Sequence, residues 1–268
     1  MNDQAVFARD GERFLPGPYA IGPWAADRLH GGPVLGLIAR AVEAAEPDPE
    51  LVLARLTVDL FRPVPAAALG VRVESLRKGS RLALLRASVL DSEGTTLAQG
   101  SALLLRASDA AQSEQSPPKP AVPPGPDGLP TESLARGAAL PGDRPAGFHT
   151  RVETRWVPRT PGQPLALWFR LPVALVAGEL ASPLVRAVAL SDFANAVAAI
   201  AGSAPNQRLA PFINADTTLY LARRPEGEWL CLQEQSCTTD RGISQARVAL
   251  FDSHGPLGHA MQARLPVR

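Results

Sequence analysis

The sequence predicts an α+β protein in which one unit is used twice: a long central helix followed by an antiparallel meander that wraps it. Three observations carry this prediction. Two apolar stretches recur at helical spacing. Each is followed by short alternating segments that end in turn signals. The landmarks of the first set then return in the same order. Arg62-Pro63 matches Arg224-Pro225, Asp91-Ser92-Glu93-Gly94 matches Asp252-Ser253-His254-Gly255, and the two intervals differ by one residue. Shared order at matched intervals argues for an internal duplication.

The elements follow from the chain in order. Val34, Leu37, Ile38, Ala41, Val42 and Ala45 make one face of a helix from about residue 32 to 46. Glu46-Pro47 ends it, because the residue before a proline avoids the helical region. Alternating strands follow in ARLTVDLF, LGVRVESL, RLALLRASVL and TTLAQGSALLL, with the Asp91–Gly94 turn before the last. Residues 108–147 hold nine of the 27 prolines. Proline lacks an amide donor and restricts φ, so this stretch reads as a linker laid along the surface. It separates a first repeat, residues 1–107, from a second, residues 148–268.

The second repeat reads as strands near 150–157 and 165–171, a helix near 183–201, and four strands to the C-terminus. Its helix is apolar nearly all round, through Val185, Val188, Ala189, Phe193, Val197 and Ile200, which marks a buried helix. Two such units can join their sheets edge to edge and so remove free edges.

Composition excludes several classes. The formal net charge of +1 over 268 residues gives no electrostatic footprint for nucleic acid. No apolar run approaches the ~20 residues of a membrane helix. The segment MNDQAVFARDGERF has neither the basic nor the apolar region of a signal peptide, so a cytoplasmic protein is expected. Cys231 and Cys237 fall on one predicted strand, about 20 Å apart at ~3.3 Å per residue, too far for a disulfide. Four scattered histidines make no metal cluster, and His254 and His259 flank a hairpin on the solvent side. Neither a serine elbow nor a phosphate loop is present.

The chain resembles the double hot-dog acyl-CoA thioesterases, the acyl-CoA thioesterase II type. The resemblance lies in HGGPVLGLIARA opening the first helix, LFRP ending the next strand, LSDFANAV in the second helix, NADTTLYLARRPEGEWL, and the terminal HAMQARLPV. It implies a double hot-dog fold and hydrolysis of an acyl-CoA or related acyl thioester, with no cofactor and no metal. It also implies homo-oligomers, since family members pair their double units. In those enzymes an acid on the second helix, a hydroxyl residue on the following strand and a glutamine on the last strand hold and activate a water. The acid carries over to Asp192 and the glutamine to Gln262. The hydroxyl position falls on Ala215, and Thr217, two residues on and on the same face of a regular strand, is the expected substitute.

Each assignment has a plainer counterpart. Asp192 stands among Val188, Leu190 and Phe193, where an unpartnered carboxylate is costly; it is either the general base or a helix cap. Gln262 can donate and accept at once, as a water-orienting residue must, or it is a strand glutamine facing solvent. His30-Gly31-Gly32 is either a ligand-holding helix start, where glycines allow close approach and amides carry partial positive charge, or a glycine turn. In some single hot-dog thioesterases, which this triplet resembles, a catalytic acid follows on the next helix turns; here those turns offer Ala39 and Arg40 and the nearest acid is Glu43, so His30, Gly31 and Gly32 are assigned to substrate binding. Recurrence in both halves favours a structural part for Arg62 and Arg224 over attraction of coenzyme A phosphates. The competing functional class is a non-catalytic acyl-thioester binding protein on the same fold. A hydratase would need a His–Asp pair, and none is legible in the spacing.

Overall fold

The computed structural model describes residues 5–108, 121–134, 146–160, 162–202 and 212–267. Of the expected linker, residues 109–120 and 135–145 lie outside this set. The first half opens with a hairpin, β1 (Phe7–Asp10) and β2 (Arg13–Pro16), that the sequence analysis did not anticipate. Gly11, at φ 56°, supplies the left-handed turn between them. Helix α1 (Gly31–Ala45) follows, then β3 (Leu51–Leu60), β4 (Gly70–Lys78), β5 (Leu82–Leu90) and β6 (Thr96–Arg106).

The second half repeats this order. A short helix α2 (Phe148–Arg151) precedes β7 (Glu153–Trp156) and β8 (Ala166–Arg170), so the strand expected from residue 150 starts three residues later. The central helix is broken into α3 (Pro183–Ser191) and α4 (Ala194–Ala201), bent by 44°. Then come β9 (Phe212–Asn214), β10 (Asp216–Leu221), β11 (Trp229–Asp240), β12 (Ile243–Asp252) and β13 (Gly255–Pro266).

Apart from the β1–β2 hairpin, the strands form one sheet in the order β4-β5-β6-β3-β10-β13-β12-β11-β8-β7, with β9 also on β13. Its centre is the antiparallel pair β3–β10, where Thr218 faces Thr57. On either side of that seam the strands run in equivalent order, so the halves are related by a pseudo-two-fold at the joint. The edge-to-edge pairing expected from the duplication is this contact. It gives both repeats one sheet and leaves no free edge between them.

Alternation, reset on β3 by a bulge between Leu53 and Arg55, sends Leu51, Leu53, Leu56 and Val58 of β3 and Val248 and Leu250 of β12 inward. They meet Val34, Leu35, Ile38 and Val42 of α1 and Val185, Val188 and Ala189 of α3 in a core shared by both halves. Each fully buried Leu or Phe there contributes about 1.5–3 kcal/mol. The two helices pack side by side and antiparallel. Gly36 of α1 allows the approach: a Cβ there would lie 3.2 Å from that of Ala189.

Antiparallel packing brings each helix start against the far end of the other helix. At one end, Ser182 caps α3 through the Val185 amide, at 3.1 Å, and donates to Glu43 Oε2 at 2.7 Å. Arg40 pairs there with Glu179 at 2.5 Å. At the other end, His30 caps α1 and meets the break between α3 and α4. Among the described residues no single helix is long and apolar enough to cross a membrane, and the bent pair α3–α4 that has the length is packed inside the sheet.

Candidate active site

The site forms where α1 begins and α3 ends. Asp192 is not the cap of a helix start; Ser182 does that work, and Asp192 sits at the bend between α3 and α4. The bend frees its backbone carbonyl from the helix ladder, and Gln262 Nε2 donates to that carbonyl at 3.3 Å. The carboxylate is buried and points at the first turn of α1.

Three groups surround it. His30 Nδ1 lies 2.8 Å from Oδ2. Asn214 Nδ2 donates to Oδ1 at 2.9 Å. Gly31 presents bare backbone: a Cβ there would stand 2.7 Å from both carboxylate oxygens. The positive end of the α1 dipole adds a favourable field for a carboxylate. His30 Nδ1 also lies 3.1 Å from the Gly32 amide. One nitrogen cannot accept from that amide and donate to Asp192 at the same time. The ring therefore caps α1 when Nδ1 is bare and holds Asp192 when Nδ1 carries a proton. Phe148 and Phe193 flank the imidazole at 5.1 and 5.2 Å between ring centroids, and His149 stacks at 6.3 Å.

His30 and Asp192 thus belong to a single site built by both repeats. Sequence spacing gave no His–Asp pair because the partners are 162 positions apart and meet only through antiparallel helix packing. The acid missing from the helix after His30 is supplied by the other helix.

Thr217 and Gln262 are both fully inside, and they bond to each other: Gln262 Nε2 donates to Thr217 Oγ1 at 2.9 Å. Asn214 Nδ2, at 3.4 Å from Thr217 Oγ1, links them to the carboxylate. Neither Thr217 nor Gln262 touches the Asp192 carboxylate with its own side chain. Gln262 Oε1 is buried without a partner among the described residues. The solvent-facing glutamine is thereby excluded.

Asn214 was missed because regular alternation fails at this point. Asn214 faces Arg264 and Thr218 faces Met261, so four steps on one side match three on β13. This β-bulge at residues 215–216 resets the faces. Ala215 is left exposed while Thr217 is buried, so the two do not share a face as a regular strand would require. The signal available in the sequence was the polar Asn214 beside the expected position.

A cleft of about 520 Å3 opens onto the carboxylate, with Trp24, His30, Gly31, Phe61, Arg62 and Asp192 among its walls. Asn214 and Ala215 line it too, whereas Thr217 and Gln262 lie behind them. Cys231 is no candidate nucleophile, since burial pushes its thiol up. Among the described residues no three His, Cys, Asp or Glu side chains converge as a metal site needs.

Family models bear on what this arrangement is for. The N-terminal domain model of acyl-CoA thioesterases matches residues 20–108, and the C-terminal domain model matches residues 118–265. The chain belongs to the acyl-CoA thioesterase family. It is a thioester hydrolase of the double hot-dog class.

Solved structures agree with this thioesterase in fold. A Thermobifida fusca YX protein, whose thioesterase II assignment is provisional, superposes with a TM-score of 0.70 at 21% identity, covering 99% of this chain and 98% of that one. The acyl-CoA thioesterase II TesB2 of Mycobacterium marinum gives 0.61 at 21% identity over 88% of each chain. A hot-dog protein of unknown function from Alicyclobacillus acidocaldarius gives 0.66 at 15% identity, over 100% of this chain and 97% of that one. A search of curated proteins returns no match.

Proposed function

We propose that the thioesterase hydrolyses an acyl-CoA or closely related acyl thioester, with Asp192 as the general base. The observation that carries this is the Asp192 carboxylate at the floor of the cleft, held between His30, Asn214 and the start of α1. A carboxylate has about four lone-pair directions, so two bound donors leave room for a water. The water oxygen attacks the thioester carbonyl carbon while its proton passes to Asp192. The carbonyl becomes an oxyanion facing the start of α1 at Gly31, which lines the cleft, while Gly32 is buried behind it with its amide on His30 Nδ1. A backbone donor to an oxyanion is worth roughly 3 kcal/mol. Collapse breaks the C–S bond, and the thiolate takes the proton back from Asp192, leaving a free acid and a thiol.

Gln262 and Thr217 support the base from behind. Gln262 Oε1 is buried and unpartnered, an acceptor that reaches the water once the Thr217–Gln262 pair opens toward the cleft. The acyl chain fits the apolar wall of Leu60, Val64 and Ile213. We assign no metal or redox cofactor to the reaction. Two free thiols fit a cytoplasmic setting, and a homo-oligomer goes with the same reading.

The test is a panel of acyl-CoA esters of increasing chain length, assayed for thiol release. Turnover by the wild type and loss in Asp192→Asn support the assignment. Absence of turnover on every ester, with Asp192→Asn binding ligand as the wild type does, leaves the non-catalytic binding protein. The His30–Asp192 pair also meets the requirement of a hydratase, so the same panel includes a 2-enoyl-CoA. Water addition across its double bond without thiol release would favour that second reading.

A further inference from the structure

The pseudo-two-fold gives the cleft a counterpart. Where the first cleft has His30 at the start of α1 and Arg62-Pro63 at the end of β3, a second, of about 440 Å3, has Ser182 and Pro183 at the start of α3 and Arg224-Pro225 after β10. Equivalent arginines allow a comparison within one molecule. Arg224 is spent on structure: its Nη2 donates to the backbone carbonyls of Pro49 and Leu51. Arg62 has no such task. It is exposed, and among the described residues its guanidinium has no hydrogen-bond or ion-pair partner.

The charges of the two clefts differ in the same direction. The second is acidic, with Glu43, Glu46 and Asp48 on its walls beside the committed Arg224. The first has Arg28 and Arg62 on its walls, and among the described residues that line it the one acid is Asp192. Arg28 is already paired with Asp27 at 2.9 Å. Arg62 is thus the uncommitted cation of the cleft that holds the base, with the exposed ring of Phe61 next to it. The duplication supplied the same residue twice, and one copy has been left facing the reaction cleft.

We infer that Arg62 is the specificity-determining anion contact of the thioesterase, gripping a phosphate group of the thiol half of its substrate. This rests on the thioester-hydrolase reading above and names the substrate class more closely: a phosphorylated carrier thiol, as coenzyme A is, rather than a bare thioester. An arginine suits the task, since its planar fork matches phosphate oxygens in a bidentate way. The contact belongs to the ground state and the transition state alike, because the phosphate is remote from the reacting carbon. Its loss therefore moves KM and leaves kcat.

The experiment compares wild type, Arg62→Ala and Arg62→Lys on an acyl-CoA and on the acyl-pantetheine of the same chain, which lacks phosphate. The expected result is a rise in KM for the acyl-CoA on the order of tenfold in Arg62→Ala, a smaller rise in Arg62→Lys, and an unchanged kcat. KM for the acyl-pantetheine stays the same in all three. Equal KM for acyl-CoA in wild type and Arg62→Ala would overturn the inference, as would a KM rise of the same size on acyl-pantetheine. Calorimetry with coenzyme A alone reads the site without turnover. Weakened binding in Arg62→Ala supports the contact even if no ester is hydrolysed, so failure of the catalytic reading stays separate. Unchanged binding in Arg62→Ala, or no binding by the wild type, counts against the contact.

Discussion

His30 Nδ1 and Asp192 Oδ2 lie 2.8 Å apart across the boundary between the two repeats. Each residue comes from the helix of a different half, so neither repeat alone contains the pair. Antiparallel packing of α1 and α3 is what makes the site, and the small residues along the helix contact serve that end. The same packing creates the opposite junction, where Glu43 and Ser182 bond and the cleft is acidic. A duplicated fold thus offers two junctions, and only one of them sets an acid against a histidine cap.

His30→Ala should remove the side chain that holds the carboxylate when Nδ1 carries a proton and caps α1 when Nδ1 is bare. We expect kcat to fall by roughly tenfold to a hundredfold and stability to fall by about 1 kcal/mol. His30→Asn restores a capping side chain without the imidazole. Recovery of stability without recovery of kcat would separate the two roles. Recovery of both would mean that capping is all His30 does.

Gly31→Ala and Gly32→Ala make a paired test, because the added methyl groups meet different things. At Gly31 the new Cβ would fall 2.7 Å from both oxygens of Asp192, so the carboxylate must move. At Gly32 it would fall 2.6 Å from the Ala189 carbonyl and 2.6 Å from the Phe148 ring, so the helices themselves must separate. Gly31→Ala should lose most activity with a modest change in thermal midpoint. Gly32→Ala should lower the midpoint clearly, at a cost of about 1–3 kcal/mol of overpacking. Equal effects of the two on stability would argue that the Asp192 side chain has no room to yield.

The sequence carried the repeat, the two central helices and most strands because each rests on local periodicity that packing reinforces, whereas the four-residue α2 is too short to show a period. Val34, Ile38 and Val42 announce α1 by spacing alone, and β12 alternates over its first six residues, Ile243 to Val248. The β1–β2 hairpin escaped notice because four-residue strands barely show a period, although Asp10-Gly11 was a turn signal. The break at Asp192 was hidden because Ser191, Asp192 and Phe193 all sit within an apolar helical pattern, and a side chain 70 residues away, Gln262, takes up the freed carbonyl. Asp192, Thr217 and Gln262 could be singled out by resemblance. Their actual partners could not, since the bulge beside Ala215 shifts faces by one residue and the His30 contact depends on tertiary packing.

A pH experiment tests how the hairpins behind the seam are secured. Burial of Asp252 works against its charge, but hydrogen bonds from Arg223 and from the Glu226 and His254 amides outweigh it, holding the carboxyl below the usual range. A carboxyl lowered in the folded state contributes stability that is fully present above the unfolded value, near 3.9. That contribution fades as pH falls through the folded value. Wild type should therefore lose stability below about pH 4, and Asp252→Asn should be weaker at pH 7 by roughly 2 kcal/mol. The difference between the two should narrow toward acid, measured as urea midpoints across a pH series. A gap that stays constant from pH 7 to pH 2 would remove Asp252 from the acid-sensitive groups.

The bulge separates two ways of supporting Asp192, and two substitutions distinguish them. Asn214 bonds the carboxylate directly at 2.9 Å, whereas Thr217 is linked to it only through Asn214. Asn214→Ala should lower kcat by about tenfold, the value of one charge-assisted hydrogen bond, with little change in stability because the residue is half-buried. Thr217→Val keeps the shape but removes the acceptor of a buried amide, and leaving Gln262 Nε2 with only its 3.3 Å bond to the Asp192 carbonyl should cost about 1–2 kcal/mol of stability. Its kcat should fall less than that of Asn214→Ala. If Thr217→Val instead loses more activity than Asn214→Ala, the hydroxyl acts on the water itself. The buried Thr217–Gln262 pair would then have to open toward the cleft during turnover.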